Sequence, residues 1–199
     1  MTKNIVFDMG KVLLAFEPKE FLKKIFSQED VISALEKELF EGPEWALVDA
    51  DALSDEAVVL SVSMRIPQYA EQVKQAMEEW PGLLWQISGM EELLKDLKAR
   101  GYRLYLLSNV FSRFQQYFSK YLIFSLLDGI VISGTEHIVK PTPELYEHLC
   151  RKYGLVPEEC LFVDDKPVNI EMALRLGWKG HVFTDSADLR RWMETEGIL

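Results

Sequence analysis

Five short apolar runs rich in β-branched and aromatic residues recur along the chain, separated by longer stretches with helical periodicity. They are NIVFD (4–8), YRLYLLSN (102–109), GIVIS (129–133), CLFVDD (160–165) and the weaker GHVFT (180–184). A strand with one wet face alternates polar and apolar side chains, whereas runs that are apolar throughout need cover on both faces. Alternation of such strands with helices predicts an α/β fold: a doubly wound, Rossmann-like core around a parallel sheet. The intervening helices carry their own start and stop signals. Met90, Leu93, Leu94 and Leu97 fall on one face of a helix that Gly101 ends as a left-handed C′ residue. KPTPELYEHLCRKYG (140–154) offers Thr142 as N-cap, Pro143 as first helical residue and Gly154 as the stop, and PVNIEMALRLG (167–177) repeats the scheme.

One interval breaks this rhythm. The first run ends at residue 8 and the second starts at 102, and residues 17–80 between them read as helices only. Phe21, Leu22, Ile25 and Phe26 form one stripe; Ile32, Leu35 and Leu39 a second; Tyr69, Val73, Ala76, Met77 and Trp80 a third. A βαβ crossover needs only about a dozen residues. The excess predicts an inserted helical cap subdomain over 16–83, with the core formed by 1–15 and 84–199. Direct packing of these helices on the sheet is the plainer alternative. The aromatic residues of the segment are expected in the interior of the cap.

With 199 residues, 48% of them hydrophobic, the chain suits one compact core with a modest insertion. Its formal net charge of −10 argues against nucleic acid or an anionic membrane as partner. An anion could still be held locally, by a metal, a lysine and backbone N–H groups. Two cysteines, Cys150 and Cys160, define no disulfide framework, and no run approaches the length of a signal or membrane segment, so a cytoplasmic setting is expected. His137, His148 and His181 show no metal-ligand spacing. Oligomeric state is left open.

Polar residues close three of the apolar runs: Asp8, then Ser108 and Asn109, then Asp164 and Asp165. Lys140 follows the 129–133 run, just before Pro141. Each has an ordinary reading alone, since a strand-end Asp is often a helix cap and Lys-Pro a loop. In open parallel sheets, however, ligands bind beyond the carboxyl ends of the strands, and these residues gather at that rim.

In this order, FDMGKV, LSN, VKP and FVDDKPVN resemble the four motifs of the haloacid-dehalogenase-like (HAD) hydrolase superfamily, and the place of the helical insertion matches a common cap type of that family. The resemblance implies a hydrolase in which Asp8 is the nucleophile, forming an aspartyl-phosphate. It implies Mg²⁺ held by Asp8, the carbonyl of Gly10, Asp165 and, directly or through water, Asp164. Ser108 and the backbone N–H of Asn109 would bind the phosphoryl oxygens, and Lys140 would bridge Asp8 and the phosphate. Asn169 would steady the metal side. Lys11 is the best of the weaker candidates to line the space under the cap; Glu17, Trp45 and Arg113 are expected in packing or surface roles.

Most phosphatases of this family carry a second Asp two residues after the nucleophile; here that position is Gly10, which is expected to let the backbone turn. Three readings follow. The substrate is a phosphate whose leaving group needs little protonation, such as the anomeric oxygen of a sugar 1-phosphate; or another group, Lys11 or a water, supplies the proton; or the chain is a metal-independent haloacid dehalogenase or a catalytically weak phosphate-binding protein. The paired acids Asp164 and Asp165 would repel a haloacid carboxylate and favour Mg²⁺. The glycine and the FDD…N form of the last motif resemble the glucose-1-phosphate phosphatase-like branch, which implies a small phosphorylated metabolite, a sugar phosphate first among them.

Overall fold

A computed structural model describes residues 1–199. All five apolar runs become strands of one parallel sheet: β1 (Asn4–Phe7), β4 (Arg103–Ser108), β5 (Gly129–Ile132), β6 (Cys160–Asp164) and β7 (Lys179–Val182). Two further short strands, β2 (Leu14–Ala15) and β3 (Trp85–Gln86), pair with each other outside it. The order in the large sheet is β5-β4-β1-β6-β7. The register places Val6 between Tyr105 and Phe162.

The lack of alternation along the strands has its cause in the two covered faces. Ile5, Phe7, Leu104, Leu106, Leu161 and Val163 point into one apolar cluster; Val6, Tyr105, Leu107, Cys160 and Phe162 point into the other. The second cluster is closed by helices Pro143–Tyr153 and Pro167–Arg175, through Leu145, Tyr146, Leu149, Ile170 and Ala173. The first is closed by helices Met90–Ala99 and Ser186–Thr195 and runs on into the segment between β2 and β3. Burying each such aliphatic or aromatic side chain contributes about 1.5–3 kcal/mol relative to exposure. Gly101 and Gly154 take φ of 88° and 62°, as helix stops should. Thr142 occupies the N-cap position but its side chain makes no capping hydrogen bond, so Pro143 marks that start instead.

Residues 18–82 supply no strand. Helices Pro18–Ile25, Glu29–Leu35 and Ala70–Glu79 carry the three apolar stripes, with Phe21, Leu22, Ile32, Leu35, Val73, Ala76 and Met77 buried. Two more helices, Trp45–Asp49 and Asp55–Arg65, have no counterpart among the expected stripes. Chain exit and re-entry run side by side, since Leu14 pairs with Gln86 and Ala15 with Trp85. No helix is long and apolar enough to cross a membrane.

The chain passes from β1 outward through β4 to β5, then returns to place β6 on the other side of β1. At such a reversal the adjoining loops diverge and leave a crevice at the carboxyl ends. Asp8 and Asp164 stand there.

Candidate active site

The loop after β1 is fixed by its own backbone. Asp8 N–H donates to the Val163 carbonyl at 2.9 Å, Leu13 and Leu14 N–H both donate to Met9 O at 2.9 Å, and Lys11 N–H donates to Leu14 O at 2.7 Å. The left-handed residue of this loop is Lys11, at φ 60°, and not Gly10. A Cβ placed on Gly10 would meet nothing within 4 Å. The expectation that Gly10 serves the turn is therefore wrong: neither backbone conformation nor space demands a glycine there.

Lys140 is the hub of the site. Its Nζ lies 2.8 Å from Asp8 Oδ1 and 2.6 Å from Asp164 Oδ2, with the Phe162 ring centroid 5.1 Å away. Lys140, Asp8 and Asp164 are 5%, 8% and 0% exposed, so this is a buried charge network rather than a surface contact. Burial alone would lower the lysine, but the two carboxylates outweigh it and hold its pKa above the ordinary value. Asn109 sets the position of the lysine: its Nδ2 donates to Lys140 O at 3.0 Å, and its Oδ1 accepts from Lys140 N–H at 2.7 Å. The Asn109 amide is thus committed to the Lys140 loop. Ser108, 1% exposed, ends β4 beside it.

Asp164 has both oxygens saturated. Oδ1 accepts from Lys166 N–H at 2.8 Å and from Asn169 Nδ2 at 3.0 Å; Oδ2 accepts from Lys140 Nζ at 2.6 Å and from the same Asn169 amide at 2.9 Å. Asn169, buried on the first turn of its helix, therefore steadies Asp164. Asp165 makes no hydrogen bond or ion pair and opens onto the cavity in front.

That cavity, of about 220 Å³, gathers Asp8, Gly10, Lys11, Ser108, Asn109, Lys140 and Asp165 from four separate parts of the chain. Asp164 lies behind its wall. Lys166 and Asn169 complete the polar side, and Met9, Phe16, Trp45, Trp80 and Leu84 supply an apolar one. Phe16, Trp45 and Trp80 form a mutual aromatic contact, with centroid separations of 5.0–5.7 Å. Trp45, a weaker candidate for this lining and expected rather in packing, borders the cavity; Glu17 does not, and Arg113 pairs with Asp55 instead.

One further acid reaches the cavity, and the sequence did not single it out. Asp49 ends the short helix Trp45–Asp49. The start of that helix is tied down by Arg65, which donates to Glu44 Oε1 at 2.5 Å and Oε2 at 3.0 Å. Its end is tied to the core: Ser133 Oγ donates to Asp49 O at 2.5 Å and accepts from Val110 N–H at 2.8 Å. The Asp49 carboxylate itself makes no hydrogen bond or ion pair. Burial, with the charge of Asp8 adding to it against Lys166 and Lys140, pushes its pKa up to about 7.

The donor set fits a small hard cation. One carboxylate oxygen from each of Asp8, Asp164 and Asp165 lies within 4.8 Å of the others. Lys140 contacts two of the three acids, so negative charge remains. Asp8 and Asp165 are both held above the usual carboxylate range, by burial first and by the charge of Asp164 as well. Oxygen donors alone, converging in this way, suit Mg²⁺.

These elements define a class. A model of the haloacid dehalogenase-like hydrolase family matches residues 2–177, and the chain belongs to that family. It is 29% identical over 185 residues to a sesquiterpene phosphatase of Aspergillus oryzae, covering 92% of this chain and 91% of that one. It is 23% identical to a D-ribitol-5-phosphate phosphatase of Bacteroides thetaiotaomicron, covering 96% of each. A HAD-family enzyme structure from B. thetaiotaomicron aligns with a TM-score of 0.73 at 20% identity over 98% of both chains. Its complex with magnesium and inorganic phosphate aligns with a TM-score of 0.69 at 21% identity, over 93% of this chain and 96% of that one.

Proposed function

We propose that this hydrolase is a Mg²⁺-dependent phosphatase acting on a small phosphorylated metabolite, a sugar phosphate, with Asp8 as nucleophile and the helical insert as cap. The observation that carries the reading is the buried Lys140, held between Asp8 and Asp164 and facing a cavity that Ser108 and Asp165 also line. A carboxylate is a weak nucleophile, and phosphate repels it. Lys140 answers both problems by orienting Asp8 and placing a fixed positive charge where the phosphoryl oxygens crowd. Ser108 Oγ and the N–H of Asn109 bind those oxygens. Asp8 Oδ attacks phosphorus, the bond to the leaving oxygen breaks, and water later cleaves the aspartyl-phosphate to regenerate the carboxylate.

Asp8, the Gly10 carbonyl and Asp165 would hold Mg²⁺, with Asp164 behind them keeping Lys140 and Asn169 in register. Bound there, the ion would cancel repulsion between carboxylate and phosphate. Lys11, exposed at the mouth, suits an anionic substrate on entry. A cavity near 220 Å³ falls below the common range of about 300–1,000 Å³ for ligand sites, which favours a compact leaving group over a long chain. The C–H face of a sugar can stack on the Phe16–Trp45–Trp80 wall. The ribitol phosphatase relative supports that substrate class; the sesquiterpene phosphatase relative keeps an isoprenoid phosphate as the competing one. Three carboxylates at the reaction centre disfavour a dehalogenase, whose substrate is itself a carboxylate.

The test is turnover of p-nitrophenyl phosphate and of a panel of sugar 1-phosphates, sugar 5-phosphates and isoprenoid monophosphates. Activity is expected only with Mg²⁺, to be lost with EDTA and in Asp8→Asn, and to be highest on a sugar phosphate. Activity that survives EDTA, chloride release from a 2-chloro acid, or phosphate binding with no turnover would each overturn the reading.

A further inference from the structure

Gly10 poses a chemical question that its geometry sharpens. An acid side chain would fit there, since a Cβ meets nothing within 4 Å and φ is not left-handed, yet none is present. An ester with an ordinary alkoxide leaving group still needs a proton. In an in-line displacement the leaving oxygen lies on the side of phosphorus away from Asp8, within a cavity that Trp45, Asp49 and Trp80 of the insert also line.

Resting on the phosphatase reading, we propose that Asp49, delivered by the insert, is the general acid and base of the reaction in place of a second acid on the β1 loop. It is the carboxylate that the insert contributes to this cavity, and it is unpartnered. Its backbone is fixed to the core through Ser133 and Val110, so the acid is held rather than loosely tethered. The charged groups around the same cavity are Asp8, Asp165, Lys11, Lys140 and Lys166. Among them, burial and Asp8 outweigh the lysines at Asp49, so it holds its proton near neutrality, whereas an ordinary carboxyl would have lost it.

The proton count closes. As Asp8 attacks phosphorus, the electron pair of the breaking P–O bond moves to the leaving oxygen, which takes the proton of Asp49 and departs as an alcohol. The Asp49 carboxylate then removes a proton from water as the water oxygen attacks phosphorus. The P–O bond to Asp8 breaks, releasing phosphate and leaving Asp49 protonated for the next cycle.

The experiment compares two esters on Mg²⁺-loaded wild type and Asp49→Asn: a simple alkyl or sugar phosphate, and 2,4-dinitrophenyl phosphate, whose leaving group needs no proton. Asp49→Asn is expected to lower kcat/KM on the alkyl ester about 10²–10⁴-fold while leaving kcat/KM on the dinitrophenyl ester nearly unchanged, whereas kcat, which includes the base-assisted hydrolysis of the aspartyl-phosphate, should fall on both. In the wild-type alkyl-ester profile kcat/KM should fall above a pKa near neutrality, where Asp49 loses its proton, and that limb should be absent in the variant. The double variant Gly10→Asp/Asp49→Asn should recover part of the lost alkyl activity. Equal losses of kcat/KM on both esters, or a change in KM alone, would show that Asp49 only binds or packs and would overturn the assignment. Unchanged alkyl turnover would overturn it too, with the phosphatase reading intact. A wild type inactive on both esters would remove the phosphatase reading, and this proposal with it.

Discussion

Lys140→Met isolates the charge balance of the site in a single change. Methionine fills much the same volume against Phe162, so the main loss is the ammonium at 2.8 Å and 2.6 Å from two carboxylates. Removing one partner of a buried ion pair costs about 3–5 kcal/mol, because the other charge is left uncompensated. Here two acids depend on the same cation, one of them with no solvent exposure, which places the loss at about 4–5 kcal/mol. For a chain of this size that is a fall in Tm of about 8–20 °C. The pH dependence has a definite sign. In the variant, Asp8 loses the cation that opposes its burial and binds its proton still more tightly folded than unfolded, so stability falls as pH rises from about 4 through its raised value. The wild-type lysine, with its own folded pKa raised, keeps its contribution through this range and loses it only in strong alkali. The gap between the two proteins should therefore be widest at pH 7 and above and narrow toward pH 4. Urea denaturation in EDTA across pH 4–8 measures it. A loss below about 1 kcal/mol at pH 7, the size of an exposed pair, or a gap that widens in acid would refute the reasoning.

Addition of Mg²⁺ at a hundred times its Kd should stabilise the wild type by about 2.7 kcal/mol, seen as a rise in Tm. Asp165→Asn should abolish that rise while changing the EDTA-treated stability little, because Asp165 has no protein partner; a retained Mg²⁺ shift would remove Asp165 from the ligand set. Ser133→Ala leaves the Val110 N–H without its acceptor and releases Asp49 O, so it should cost about 1–3 kcal/mol in urea unfolding. It should also accelerate hydrogen exchange over residues 45–52; unaltered exchange there would mean that the insert is docked by other contacts.

The sheet was legible because its signal is local and redundant: Ile5, Val6 and Phe7 are all apolar, and only a strand covered on both faces needs that. The polar rim was legible for a related reason, as Asp8, Ser108, Asn109, Asp164 and Asp165 each stand at the end of such a run, with Lys140 alone set in a loop beyond one. What stayed hidden depends on docking between distant segments. Helix Asp55–Arg65 buries only Val58 and Val62, too few to print a stripe. Asp49 stands near Asp51 and Asp55, and nothing along the chain tells which of these acids faces Asp8; Ser133, far away in sequence, decides it. The role of Gly10 was misread for a comparable reason, because the left-handed conformation belongs to its neighbour Lys11.

The small β2–β3 ribbon has a consequence for how such a protein can diversify. Because Leu14 pairs with Gln86 and Ala15 with Trp85, the two ends of the inserted segment are held side by side. Doubling the length of a loop whose ends are so fixed costs only about 0.6 kcal/mol in closure entropy. Residues can be gained, lost or exchanged between those two pairs without shifting the register of Val6 against Tyr105 and Phe162, and so without moving Asp8. The ribbon works as a splice junction: the β1 loop carrying Asp8 keeps its register on one side of it, while on the other the segment is free to vary around the docked helix that holds Asp49.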